Sequence, residues 1–328
     1  MNRSGRNRTM TLTEKERAEL QSRLVLPEGR KLSAGDITDR TILADLRTVL
    51  PDLPSAFVDL LILDPPYNLT KNYNGTRFHA ASDTDYASYV ESWFRPLLRL
   101  LKENASLYVC CDWRSSPVIY SVLARHCRVR NRITWQREKG RGAQTNWKNA
   151  MEDIWFATMS SDYYFNVEAV KMKRRVIAPY RSAGGAPKGW MTESSGAFRL
   201  THPSNFWDDI SVPYWSMPEN TPHPTQKPEK LLAKLILASS APGAFVFDPF
   251  AGSGTTAVTA KKLGRHFASV EMELEYCLFT EKRLRNAEKD SRIQGYTDGC
   301  FWERNTLSHQ KRMERAAMQK NKRPESSG

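Results

Sequence analysis

The chain alternates short apolar runs with longer stretches of helical periodicity. Phe57-Val58-Asp59-Leu60-Leu61-Ile62-Leu63 is an apolar run of strand length that stops at Asp64-Pro65-Pro66. Proline cannot continue a central strand, so this reads as a strand end followed by a stiff loop. Between residues 86 and 101, Tyr89, Trp93, Leu97, Leu98 and Leu101 fall at helical spacing, and residues 106–111 then read as a strand. A helix over 116–124 follows, with strands over 132–135, 152–159 and 163–165. Farther on come a helix over 227–239, a strand over 245–247 and a helix over 255–263 that stops at Gly264. A strand over 268–270 and a helix over 273–286 complete the pattern, and a short helix over 14–24, capped by Thr11 or Thr13, precedes it all. This rhythm predicts an α/β fold: a mostly parallel sheet with helices on both faces.

Composition narrows the picture. With 328 residues, 40% of them hydrophobic, the chain can bury one large α/β domain plus an insertion, and it is too apolar to be wholly disordered. Its apolar runs are too short to span a membrane, and the polar, basic amino end carries no apolar signal segment. No membrane partner and a cytoplasmic location are therefore expected. The five cysteines, Cys110, Cys111, Cys127, Cys277 and Cys300, form no Cys-x-x-Cys pair and have no histidine at metal spacing. Neither a metal site nor a disulfide framework is expected. Lys plus Arg exceed Asp plus Glu by 49 − 36 = 13, which favours a polyanionic partner.

Two loops carry candidate chemistry. Asp248-Pro249-Phe250-Ala251-Gly252-Ser253-Gly254 lies between a strand and a helix, and the next strand ends at Glu271. Glycines let backbone approach a ligand, the helix start offers free N–H groups, and an acid closing the second strand suits ribose hydroxyls. Ala257 stands where a Gly-x-Gly-x-x-Gly turn needs its third glycine, which disfavours a dinucleotide, and no Gly-Lys-Ser/Thr follows to make a P-loop. A nucleoside without phosphates fits better. The second loop is Asp64-Pro65-Pro66-Tyr67. An exocyclic base amine is a poor nucleophile because its lone pair is delocalised into the ring. The Asp64 carboxylate and Pro65 carbonyl can accept its two N–H groups, Pro66 stiffens the loop, and Tyr67 can stack on a base turned out of a duplex.

Leu63-Asp64-Pro65-Pro66-Tyr67-Asn68-Leu69 and the Phe247–Thr256 segment resemble the catalytic and cofactor motifs of the DNA amino-methyltransferases. Their order, catalytic loop first, resembles the β class, a circular permutation of the Rossmann-like methyltransferase fold. His223-Pro224-Thr225-Gln226-Lys227-Pro228 is similar to a third motif of that class. The resemblance implies S-adenosyl-L-methionine as cofactor. It implies cofactor contacts from Asp45, Asp248, Phe250, Gly252, Gly254 and Glu271, with Thr225 and Lys227 as weaker candidates, although Ala44 stands where the family usually has glycine before Asp45. Asp64, Pro65, Pro66 and Tyr67 would be catalytic. The implied target is N6 of adenine in duplex DNA, because cytosine-N4 enzymes more often carry Ser in place of Asp64. A cognate restriction endonuclease and a homodimer are further partners compatible with such a family. RNA and protein-glutamine methyltransferases more often show Asn-Pro-Pro-Tyr with the cofactor loop upstream. A non-catalytic nucleic-acid-binding protein on a decayed scaffold is opposed by the intact motifs.

The chain accordingly divides into a flexible extension (1–30), a catalytic half (31–167), a target-recognition region (168–222), a cofactor-binding half (223–295) and a basic tail (296–328). Residues 168–222 are rich in Pro, Gly, Ser, Trp and basic groups, with Trp207 and Trp215 as apolar anchors. Lys171, Lys173, Arg174, Arg175, Arg181 and Lys188 there, and Lys139 and Arg141 in a glycine-rich loop, are the candidate DNA contacts.

Overall fold

The computed structural model describes residues 5–73, 76–137, 145–176, 180–186, 188–193 and 196–304. Among these, eight strands form one sheet in the order Arg40–Leu43, His266–Glu271, Phe245–Asp248, Val58–Leu63, Leu101–Cys111, Met151–Thr158, Arg128–Gln136 and Phe206–Trp207. The first five run parallel, and Met151–Thr158 lies antiparallel to both its neighbours. The mostly parallel sheet expected from the sequence is therefore present.

The central strands are apolar on both faces because helices cover both. On one side Leu61, Leu63, Leu107 and Val109 pack with Val90, Trp93 and Leu97 of the Asp83–Leu97 helix. On the other, Leu60, Ile62, Tyr108 and Val246 pack with Leu231, Leu235 and Val258. Ser82 caps the Asp83–Leu97 helix by accepting from the Asp85 N–H, and Pro96 sits in its last turn. Among the described residues no helix is long and apolar enough to cross a membrane.

A second, five-stranded sheet contains Tyr296–Thr297, Cys300–Trp302, Met172–Arg175, Gly196–Thr201 and Met191–Glu193. Its Met172 and Phe301 pack on Ala233, Leu237 and Ala238 of the Glu229–Ser239 helix. That helix is covered on every side, all its residues being buried. Its lysines survive there by pairing: Lys230 Nζ and Lys234 Nζ lie 2.6 and 2.7 Å from the Asp209 carboxylate.

Four expectations from the sequence need correction. Residues 163–165 form no strand; Tyr163 and Phe165 instead pack their rings beside Phe156. Residues 296–302, placed in the basic tail, supply two strands of the second sheet, and Phe301 and Trp302 are buried there. Within the amino-terminal extension, residues 13–21 are fastened rather than loose. Glu14–Gln21 is a helix with a Thr13–Glu16 capping box, Arg17 pairs with Glu275, and Arg285 reaches Glu16 at 2.8 Å. Trp207 is buried as an anchor, but Trp215 is half exposed.

Candidate active site

Val58–Leu63 and Phe245–Asp248 are adjacent parallel strands, with Leu61 opposite Phe247. The loops that leave their carboxyl ends must therefore emerge side by side, at the edge where open α/β sheets bind ligands. Asp64 to Tyr67 and Asp248 to Ser253 line one cavity of about 570 Å³, together with Asp45, Thr225, Lys227 and Glu271. This volume lies within the ~300–1,000 Å³ typical of small-molecule sites.

On the glycine-loop side, Gly252 and Gly254 have φ of +52° and +73°. Gly254 caps the Thr255–Lys262 helix, whose first N–H groups face the loop. Glu271 accepts the Gly252 N–H at 2.8 Å and the Glu273 N–H at 2.9 Å, which ties the end of its strand to the loop. Burial pushes the Glu271 carboxyl up to about 7 despite these bonds. Asp248 accepts from the Phe250 N–H at 3.0 Å and the Thr256 hydroxyl at 2.5 Å, and burial raises it to about 7 as well. Asp45 is exposed at the cavity mouth, where its side chain caps a short helix by accepting from the Arg47 N–H at 2.7 Å. Phe250 packs edge-on against Trp93 at 5.0 Å, and both line the cavity. Apolar walls, backbone donors and two acids at its rim fit a nucleoside with an amino-acid tail.

On the Asp-Pro-Pro-Tyr side, the Tyr67 hydroxyl donates to Asp64 Oδ1 at 2.9 Å and lies 3.4 Å from Glu152 Oε2. The Tyr86 hydroxyl donates to the Pro66 carbonyl at 3.0 Å and the Asn68 N–H to Ser115 Oγ at 3.0 Å, so the loop is held from two helices. Burial, reinforced by Asp64 and Glu152, holds the Tyr67 phenol protonated well above its ordinary range.

Lys227, expected as a weak cofactor contact, lines the cavity and places its ammonium on the Asp64 carboxylate, at 2.8 Å from Oδ1 and 2.6 Å from Oδ2. Two more residues of this cluster were not foreseen. Glu152, second in the Met151–Thr158 strand, lies 3.4 Å from Lys227 Nζ, and Arg137, which also lines the cavity, pairs with it. The only signal available was a pair of acids, Glu152 and Asp153, opening an apolar strand without visible partners. His223 was also missed; its Nε2 would lie 2.9 Å from a Cβ at Gly252, so it packs against the glycine loop and lines the same cavity.

The basic residues separate into groups. Lys139 and Arg141 lie outside the described residues. Lys173 is buried over the rings of Phe198 and Trp302, at 5.1 and 4.7 Å, so its expected DNA contact is corrected to a packing role. Lys171 pairs with Glu168 at 2.5 Å, and Arg174 lies 3.8 Å from Glu303. Arg175, Arg181 and Lys188 are exposed on or beside the second sheet.

A permuted α/β sheet with a glycine loop and an Asp-Pro-Pro-Tyr loop opening into one cavity is the arrangement of a class-β amino-methyltransferase. Residues 58–282 match the DNA methylase family of N6 and N4 specificity, and the chain belongs to that family. It is 30% identical over 260 residues to the type II methyltransferase M.HpaI of Haemophilus parainfluenzae, covering 78% of this chain and 76% of that protein. It is 31% identical over 286 residues to the DNA adenine methyltransferase YhdJ of Escherichia coli K12, covering 84% and 94%. Among solved structures, the cytosine-N4-specific PvuII DNA methyltransferase shares the fold at a TM-score of 0.54 and 16% identity, over 77% of this chain and 92% of that one. The M1.HpyAVI–SAM complex shares it at 0.51 and 23%, over 74% and 98%. The methyl donor of this family is S-adenosylmethionine.

Proposed function

We propose that the protein methylates N6 of adenine at a specific site in duplex DNA, with the target base turned out of the helix into the cavity. One observation carries this reading: the Asp64 loop and the loop from Asp248 to Ser253 share a single cavity. An acceptor for an amine and a cradle for a methyl donor thus face the same space. S-adenosylmethionine, when bound, supplies an electrophilic methyl group on a sulfonium. Glu271 would accept the ribose hydroxyls, Asp45 the adenine amine of the cofactor, and the loop from Asp248 to Gly254 would surround its methionine part. Thr225 lines the same wall. Asp64 and the Pro65 carbonyl would accept both N–H groups of the target amine and so localise its lone pair, while the Tyr67 ring stacks on the base.

Adenine is favoured because a carboxylate, not a hydroxyl, opens the catalytic loop. YhdJ, similar over most of its length, is named an adenine methyltransferase. The cytosine-N4-specific PvuII enzyme shares only the fold at its level of identity. Arg175, Arg181 and Lys188 would contact the phosphate backbone from the second sheet, which together with the 168–222 region would form the recognition part. Pairing with a cognate endonuclease is the extension that the type II relatives invite. To test the target, duplex DNA treated with the protein is hydrolysed to nucleosides and weighed by mass spectrometry. N6-methyl-deoxyadenosine is expected; N4-methyl-deoxycytidine in its place would move the target to cytosine.

The raised Glu271 carboxyl gives a pH test of the cofactor site. A group near 7 in the free protein must ionise to accept both hydroxyls fully, so binding strengthens as pH rises through 7. S-adenosylmethionine should bind about tenfold more weakly at pH 6 than at pH 8. Glu271→Gln should flatten that dependence in a calorimetric titration. A wild-type affinity unchanged between these pH values would remove Glu271 from the ribose.

A further inference from the structure

We propose that Lys227 is a positioning residue for methyl transfer: its ammonium pairs with the Asp64 carboxylate and holds it aimed into the cavity, and Glu152 is a second anion that shares it. The inference rests on the catalytic role proposed above for Asp64. A carboxyl group in that position must remain an acceptor, because a protonated acid would present its own O–H to an amine that needs acceptors.

The geometry meets this requirement. Lys227 is buried, it donates to both Asp64 oxygens at 2.6 and 2.8 Å, and it reaches the Tyr67 hydroxyl at 3.2 Å. Oδ1 also accepts the Tyr67 hydroxyl, which leaves one lone pair of Asp64, on Oδ2, for an incoming amine. The groups facing the ammonium come from every surrounding element. They are Asp64 and Tyr67 from the loop, Cys110 from the adjacent strand, Glu152 with its partner Arg137, and Asp248 from the cofactor strand. Burial alone would pull the lysine down, but Asp64 and Glu152 outweigh it and hold the ammonium protonated beyond its ordinary range. The Lys227 carbonyl also accepts the Thr255 hydroxyl at 3.0 Å, at the first turn after Gly254. The cation that orients the catalytic carboxylate is thereby fastened to the end of the cofactor loop.

The two partners of Lys227 have opposite expected effects. Removing the cation favours the protonated form of Asp64, whereas removing the Glu152 charge relieves a like-charge neighbour and leaves Arg137 and Lys227 nearer to Asp64 in effect. The test is the pH profile of kcat at saturating cofactor and duplex DNA for the wild type, Lys227→Met, Lys227→Arg and Glu152→Gln. Lys227→Met should move the acid limb up by about one pH unit or more, a tenfold change in proton affinity. Glu152→Gln should move it down, and Lys227→Arg should return it toward the wild-type position. Cofactor affinity should stay within about threefold throughout, since the ammonium acts on Asp64.

An unmoved limb with an equal loss at every pH in Lys227→Met, or cofactor binding lost in parallel, would overturn the proposal. Where Lys227→Met fails to fold or shows no transfer at any pH, the shift in Glu152→Gln decides: downward supports the proposal, and none or upward overturns it. If Asp64→Asn kept full transfer, the reading of Asp64 itself would fall. If that variant were inactive and the limbs did not move, only the role of Lys227 would.

Discussion

Asp64→Asn is expected to lower methyl transfer to duplex DNA by about 10³-fold, or about 4 kcal/mol in the barrier, with S-adenosylmethionine affinity within about threefold of wild type. Asparagine keeps the shape of the side chain but replaces one acceptor with an N–H₂ donor. That donor would face the amine's own N–H groups and would also meet Lys227, which now donates to both Asp64 oxygens. The lysine keeps Glu152 at 3.4 Å as a partner, so the fold should hold and the defect should appear in kcat. Single-turnover rates beside a binding titration separate the two quantities. Loss of affinity equal to the loss of rate would place Asp64 in the cofactor site instead.

Gly254→Ala should fail differently, losing cofactor binding and stability together. At φ +73° an added Cβ would lie 2.3, 2.5 and 2.7 Å from Cγ2, Oγ1 and Cβ of Thr280. Thr280 cannot withdraw: it is fully buried within the Leu274–Lys289 helix, and its hydroxyl donates to the Tyr276 carbonyl at 3.0 Å. Left-handed strain and overpacking sum to about 2–5 kcal/mol. Cofactor affinity should fall by more than about 100-fold as the loop shifts to relieve the contact. Gly264→Ala is the control. It has a similar φ of +69° but nothing within 4 Å, so only the strain of about 1–2 kcal/mol should appear, with affinity unchanged. Equal behaviour of the two variants, read by thermal unfolding and calorimetry, would contradict the close-approach role of Gly254.

Much of the fold could be read from the chain because its signals are local. The strand before Asp64, the strand–loop–helix around Gly252 and Gly254, and Glu271 at the next strand end all declare themselves within a few residues. Their adjacency in the permuted sheet came from motif order. What escaped was non-local. Lys227 and Asp64 stand 163 positions apart, and an ion pair across that distance leaves no period in the sequence. Glu152 and Arg137 escaped for the same reason. Lys173 sat in a run of basic residues whose average suggested solvent, whereas its own neighbours are two aromatic rings. The three-residue strand Cys300–Trp302 was too short to show alternation; Phe301 packs on the helix that the strand covers, and Trp302 packs against Phe198 and Lys173.

The central claim is that an amine held at Asp64 receives a methyl group from a donor held at Gly252, Gly254 and Glu271. It is tested most directly by incubating the protein with methyl-labelled S-adenosylmethionine and duplex DNA and counting label in the purified DNA. A second duplex carries purine in place of every adenine, so that it lacks the exocyclic amine of adenine and keeps that of cytosine. Label in the ordinary duplex, none in the purine duplex and none with Asp64→Asn is the expected result. Equal label in both duplexes, or undiminished label with Asp64→Asn, would contradict the account.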